Sequence, residues 1–453
     1  MRRSPRIALV SAAILAVTLP ALSSAESSGT PAFVVSTAPT AFAGAALAGE
    51  PSIGVDWRTG AGLYMSGTHV FRLTFDGRRR TVGWEDGSPL EGLTQNLDPI
   101  LTTDPRTGRT LAGGDTGACS VLYATDDDGR SWLPSLPCTF TYDHPTVAHA
   151  PSARTPGTTV FYFCQQGPDA QECDTSTTAG AVWTPAAPGV QREPAFAPEL
   201  CIGPHGHLAG SPDGTAYLPG RGCFRRDGSE GVGGMRTGDD GLTWTEYLIP
   251  GQSSTVFDPA VATTPDNAVY EAWEAAGTHH PMVAVSHRHG TTWTTPVDLA
   301  GTVRPALVAS SLPSLVAGDN GRVAYSFLGT SVGSGNPNAT GFNGVWFLYT
   351  SFSYDGGRTW MTVRDTPTPV QRGEIDGGGT TTTGQRNLLD FLGSAVTVEG
   401  RVVVAFADGC LAACLRARSP AAAEAASTSS WASVALQVAG RGLFSAGRPP
   451  SLS

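Results

Sequence analysis

One spelling recurs along this chain and limits its possible folds more than any other feature. Thr125–Trp132 reads TDDDGRSW, Thr237–Trp244 reads TGDDGLTW, Ser286–Trp293 reads SHRHGTTW and Ser353–Trp360 reads SYDGGRTW. A fifth copy, STTAGAVW over Ser176–Trp183, keeps the hydroxyl, the glycine and the tryptophan. The frame is a hydroxyl residue (Thr125, Thr237, Ser286, Ser353), then aspartate (Asp127, Asp239, Asp355), glycine (Gly129, Gly241, Gly290, Gly357) and tryptophan (Trp132, Trp244, Trp293, Trp360). Each part suits a tight turn. The carboxylate and hydroxyl accept hydrogen bonds from the turn's own amides, glycine takes positive φ, and the indole folds back to bury its ring in the sheet. Successive tryptophans, Trp183 included, lie 49 to 67 positions apart, the length of one four-stranded unit.

A second repeat precedes these turns. Segments beginning at Glu50, Asp98, His144, His205, Asp258, Leu312 and Phe391 each read as a strand, a Gly/Asn/Asp/Pro turn and an apolar strand. With glycine and proline abundant and no long apolar stripe of helical period, the chain is expected to be an all-β propeller of four-stranded blades. Seven starts favour seven blades; six remain open if the first or last unit is incomplete.

The turn spelling resembles the Asp box, or bacterial neuraminidase repeat, of the sialidase superfamily, over Thr125–Trp360. The resemblance implies that each box joins the third and fourth strands of a blade, as a structural device remote from the active site. Arg288 and Thr178 replace the aspartate in two copies, whose turns should be less well tied. It also implies that each innermost strand begins at the face carrying the site. The starts, in register, therefore gather Glu50, Asp98, His144, His205 and Asp258 at the channel mouth, beside Leu312 and Phe391, with Asp143, His207 and Asp390 close by. Asp98, Asp258 and Glu50 are the catalytic candidates; Asp143, His144, His205, His207, Arg304 and Asp390 are the binding candidates. Any one of the Asp-Pro and Glu-Pro starts also has a purely local reading, because such dipeptides initiate turns.

Sialidase chemistry demands three arginines for the sugar carboxylate, an aspartic acid and a Tyr–Glu nucleophile. Gly49-Glu50-Pro51 occupies the place of the first arginine, and Arg304-Pro305 is out of register, so no catalytic residue carries over. Arg192, Arg304 and Arg386 read as surface arginines more readily than as a clamp.

The start of the chain, Met1-Arg2-Arg3, then apolar Ile7–Leu22, then Ser23-Ser24-Ala25, has the form of a secretory signal peptide over residues 1–25. Residues 26–48 form an N-terminal segment in which Phe33–Ser36 could close the ring, 49–418 the propeller, and 419–453 an Ala/Ser-rich stretch ending in a last strand or a disordered tail. No later run is long and apolar enough to span a membrane. In an oxidising compartment the eight cysteines read as disulfides, and their symmetry about predicted hairpin turns pairs Cys119 with Cys138, Cys164 with Cys173, Cys201 with Cys223 and Cys410 with Cys414.

A net charge of −10 argues against a nucleic-acid partner. The 29 basic residues are all arginine, the usage of a GC-rich bacterial genome, which removes Schiff-base lysine chemistry. No short His/Cys/Asp spacing marks a metal site, so neither metal nor cofactor is expected. The leading reading is a secreted, monomeric, sialidase-like propeller that binds an extracellular glycan or protein and need not be an enzyme. The alternative is an exo-glycosidase, a sialidase-like glycoside hydrolase using two mouth carboxylates as acid and base or nucleophile.

Overall fold

A computed structural model describes residues 29–89, 98–114, 120–137, 143–166, 171–185, 200–224, 227–252, 257–376 and 385–449. Seven antiparallel sheets follow one another along the chain, six of them made of consecutive strands and the last closed by the first strand, and together they form a seven-bladed β-propeller. Blade two is representative: Ile100–Thr103 innermost, then Thr110–Gly114, Val121–Thr125 and Leu133–Ser135. Blade three has three described strands, and a bridge between Thr175 and Thr184 marks the place of its fourth. Blades four and six each carry an extra two-residue strand, Ala209–Gly210 and Gln371–Arg372.

Both ends of the chain meet in blade seven. Gly393–Val396, Val402–Asp408 and Trp431–Ala439 supply its inner three strands, and Ala32–Thr37 from the N-terminal segment pairs with Trp431–Ala439 as the outermost. The Ala/Ser-rich stretch thus carries a short helix, Pro420–Ala425, followed by a strand whose Ala432, Val434, Ala435 and Leu436 are all buried. Alanine packs well where strands stand close, so a composition suggestive of a tail serves here as core.

The inner strands are short and rich in small residues because neighbouring blades approach most closely around the channel. A Cβ added at Gly54 would fall inside the Thr103 side chain of the next blade, and one at Gly210 would collide with the His149 carbonyl. Farther out, the second strands bury Tyr64, Tyr162, Tyr217, Tyr270 and Tyr325. The box tryptophans pack against these layers from the neighbouring blade. Trp244 meets Tyr162 edge-on at 6.4 Å, Trp293 stacks on Tyr247 at 5.6 Å, and Trp132 joins the Leu63, Met65 and Val70 cluster. This corrects the expectation that each ring buries itself in its own sheet. The rings are half-buried staples between blades, whereas Trp273 and Trp346 are the fully buried tryptophans.

In the box at Thr125, Gly129 N–H donates to Thr125 Oγ1 at 3.1 Å, while Asp127 accepts the Ser131 N–H at 2.9 Å and the Ser131 hydroxyl at 2.6 Å. Two successive residues turn left-handed in each copy: Asp128 and Gly129, Ala179 and Gly180, Asp240 and Gly241, His289 and Gly290, Gly356 and Gly357. Where Thr178 replaces the aspartate, its hydroxyl accepts the Val182 N–H at 2.8 Å; where Arg288 does, Gly290 N–H still reaches Ser286 Oγ at 2.9 Å.

Disulfides join Cys164 to Cys173, Cys201 to Cys223 and Cys410 to Cys414. The first two link residues directly opposite each other on paired strands, with Cα atoms 4.0 and 3.9 Å apart. Cys119 and Cys138, Arg192 and residues 1–25 lie outside the described residues. No helix among the described residues is long and apolar enough to cross a membrane.

Candidate functional site

The inner strands all begin at one end of the channel, and the box turns lie at the other. There the boxes touch the turns between first and second strands: Thr59 Oγ1 donates to Asp128 at 3.2 Å, and Ser152 Oγ donates to Asp240 at 2.6 Å. The channel encloses about 360 Å³ between inner strands of all seven blades. Near its mouth three residues turn left-handed, Glu50 just before its strand and His144 and Leu312 at register shifts within theirs, with φ of 54°, 53° and 56°.

Glu50, Asp98, Asp143, His144, His205, His207, Asp258 and Asp390 come together here. Asp390 N–H donates to Glu50 Oε1 at 3.0 Å, and the two carboxyls lie within mutual hydrogen-bonding reach. Asp98 and Asp143 form a second such pair. His144 lies between the acids: its backbone N–H donates to Asp143 at 3.0 Å, its Nε2 stands 3.7 Å from Asp143 Oδ2, and its Nδ1 stands 3.3 Å from Asp258 Oδ2, off hydrogen-bond geometry. His207 stacks on Phe391 at 4.2 Å, and Phe391 also meets the His144 ring edge-on at 5.8 Å. His207 and Phe391, stacked on each other, both line the channel.

Burial sets the electrostatics and the neighbouring charges modify it. Burial, followed by the charges of Asp98 and Asp390, pushes the Glu50 carboxyl well above the usual range. Asp98 is pushed up to about 6 by burial and then Asp143, with His144 pulling the other way. Asp258 is raised by burial against the pull of His144 and Arg221. Burial opposes charge on His144, yet Asp258, Asp143, Asp390 and Asp98 together raise its pKa. His205 and His207, also buried and close to the His144 charge, are pushed down to about 3 and about 4.

Arg304 is not brought to this cluster. It is exposed on the connection between blades five and six, and its guanidinium donates to the Gly301 and Val303 carbonyls of its own turn. Arg386, read from sequence as a surface residue, instead grips both oxygens of Asp390 at 2.7 Å. Two further groups escaped the sequence reading. Arg221 lies on the second strand of blade four, beside the pair His205–Gly220, and acts on Asp258 and Glu274. Glu274 ends the second strand of blade five, buried, with Oε1 2.6 Å from His279 Nδ1, and burial pushes it up to about 7. Their signal lies in strand register: Ala260 pairs with Ala272, which brings Glu274 level with Asp258. No group of three or more His, Cys, Asp or Glu side chains among the described residues is arranged to hold a metal ion.

No family model and no curated protein matches this sequence. Solved structures similar to it include a protein of unknown function from Dyadobacter fermentans, at 15% identity over 86% of this chain and 94% of that one, with a TM-score of 0.41. An α-L-arabinofuranosidase of Fusarium graminearum in complex with arabinobiose matches at 12% identity over 75% of this chain and 92% of that one, TM-score 0.41. An intramolecular trans-sialidase from Ruminococcus gnavus matches at 12% identity over 79% of this chain and 89% of that one, TM-score 0.35. Likeness this distant carries no functional argument, and the site must speak through its own residues.

Proposed function

We propose that this protein is a secreted propeller that binds an extracellular glycan at the mouth of its channel. The observation that carries the reading is the juxtaposition of the channel-lining His207–Phe391 pair with the cluster of Asp98, Asp143, His144 and Asp258. Sugars present an apolar face to aromatic rings and a ring of hydroxyls to carboxylates, and a channel of about 360 Å³ suits the end of a glycan better than a protein surface. Export fits the disulfides among the described residues, which persist in oxidising compartments.

Hydrolysis is the second reading, favoured by the two close carboxyl pairs, Glu50 with Asp390 and Asp98 with Asp143. Burial and neighbouring acids push Glu50 in one pair and Asp98 in the other toward the neutral form, the state a proton donor needs. A glycan array, run beside a panel of chromogenic glycosides that includes a sialoside, tests both. Array binding without turnover supports the first reading and turnover supports the second. Silence in both assays would remove the glycan from the account.

A further inference from the structure

The far end of the channel has a chemistry of its own. Where the inner strands begin, the lining residues Ser52, Ile100 and Leu392 are buried. Where they end, beside the box turns, Trp57, Pro105, His149, Thr263 and Ala317 line the same lumen and keep part of their surface in solvent. Solvent therefore reaches the lumen from the box end.

Trp57 is fixed at this opening by three contacts. Its backbone N–H donates to the Pro105 carbonyl of blade two at 2.9 Å, and its Nε1–H donates to the Val396 carbonyl of blade seven at 2.9 Å. The third contact is Phe444, whose ring meets the indole edge-on at 5.2 Å. Phe444 is buried and belongs to a C-terminal strap across the box end. In that strap Leu443 N–H donates to the Gly400 carbonyl at 2.7 Å, and Asp319 N–H donates to the Leu443 carbonyl at 3.0 Å. A Cβ on Gly400 would fall 2.7 Å from the Phe444 nitrogen, so blade seven carries glycine where the strap passes. With the indole N–H committed to Val396, what Trp57 still offers a ligand is ring surface.

Among the described residues, no Asp, Glu or Arg lines the channel. The acids nearest its box end, Asp56 and Asp104, are buried and bonded within their own turns, to Arg58 and to Arg106 and Thr107. Two lining histidines titrate: burial pushes His149 down, and His207 down to about 4, which leaves both rings neutral. A charged ligand in this lumen would lose its water without gaining a counter-charge. Neutral polar groups are plentiful all the same. Each inner strand ends its sheet and pairs on one side, which turns its free backbone N–H and C=O edge to the axis. Thr263 adds a hydroxyl that donates to the Gly210 carbonyl at 2.8 Å and keeps its lone pairs. Uncharged donors and acceptors beside an indole suit a molecule with many hydroxyls and an apolar face.

We propose that the box end of the channel is a second binding site, for an uncharged sugar residue, with Trp57 as its contact and Phe444 as the residue that positions Trp57. The site is separate from the mouth and does not depend on what binds there. Proton–nitrogen spectra of the nitrogen-labelled protein test it, the Trp57 indole resonance being assigned by its loss in Trp57→Phe. Glucose, galactose, mannose, xylose and arabinose are titrated in, the three hexoses beside their uronates and amino sugars. At least one hexose should shift the Trp57 and His149 resonances saturably, with its two charged counterparts at least about tenfold weaker, since each would bury an unpaired charge. Trp57→Ala should abolish that binding and Phe444→Ala should weaken it several-fold, with thermal melting to show that each variant is folded. The comparison of each hexose with its charged counterparts needs no variant. Absence of a Trp57 shift with every neutral sugar, equal affinity for a charged counterpart, or unchanged affinity in a folded Trp57→Ala protein overturns the proposal. Shifts confined to His144 and His205 overturn it as well and leave the mouth reading in place.

Discussion

Arg288 stands where three other copies of the turn hold aspartate, and replacing it with aspartate should stabilise the protein. The acid makes the same bonds in each intact copy. Asp239 accepts the Thr243 N–H at 2.9 Å and its hydroxyl at 2.6 Å, and Asp355 accepts those of Thr359 at 3.0 and 2.6 Å. Thr292 occupies that position in the fourth copy, and the turn is already shaped for the acid, since Gly290 N–H reaches Ser286 Oγ at 2.9 Å. Two charge-assisted bonds at a half-exposed turn are together worth about 1–2 kcal/mol net. Repulsion from Asp213, which pairs with the adjacent His289 at 3.1 Å, is the term that would trim the gain. The converse change, Asp239→Ala, should cost about the same 1–2 kcal/mol. Because a chain this long shifts in melting temperature by only about 1 °C per kcal/mol, denaturant titration is the better assay. The effect should also depend on pH with a definite sign. Burial alone would raise the box acids, but hydrogen bonds from Ser131, Thr243 and Thr359 outweigh it, and Asp127, Asp239 and Asp355 all have lowered pKa values. An acid depressed by folding stabilises above its unfolded pKa of about 4 and loses that contribution as pH falls through the folded value. The cost of Asp239→Ala should therefore shrink in acid. A lower denaturation midpoint for Arg288→Asp, with Asp239→Ala neutral at physiological pH, would refute the reasoning.

Two further predictions use the core and the mouth. Trp346→Ala removes a fully buried ring whose Nε1 donates to the Gly373 carbonyl at 2.8 Å, and should cost about 3–5 kcal/mol, while Trp360→Ala, half-buried between blades, should cost clearly less in the same denaturant titration. Asp98, pushed up to about 6 by burial and then Asp143 against the pull of His144, resists ionisation in the folded state. The resulting penalty is absent below the unfolded pKa of about 4, grows as pH rises and is complete above about 6. Asp98→Asn should therefore be more stable than the parent at neutral pH by about 1–3 kcal/mol and equal to it near pH 4; calorimetry across that range would show no such convergence if the acid were freely solvated.

The sequence revealed most where physical causes are local. The box turn closes within eight residues, and the cysteines of blades three and four lie symmetrically about their hairpins, so Cys164 meets Cys173 and Cys201 meets Cys223 across paired strands. Strand starts such as Asp98-Pro99 and Asp258-Pro259 advertise the mouth for the same reason. Contacts between blades left no such trace. Nothing near Trp132 says that its ring crosses to Leu63, and nothing near Arg386 distinguishes a free surface cation from one bound to Asp390. Glu274 depends on register, because only the pairing of Ala260 with Ala272 places it beside Asp258.

The central claim, that ligand binds where the inner strands begin, is tested most directly at the histidines. Three of the nine, His144, His205 and His207, ring the mouth, while His287 and His289 sit on a box turn at the opposite end. In proton–nitrogen spectra of histidine-labelled protein, titration with the oligosaccharide that gives the strongest array signal should move the three mouth imidazoles and leave His287 and His289 in place. Shifts confined to His287 and His289, or saturable binding that leaves all three mouth rings unmoved, would contradict the account.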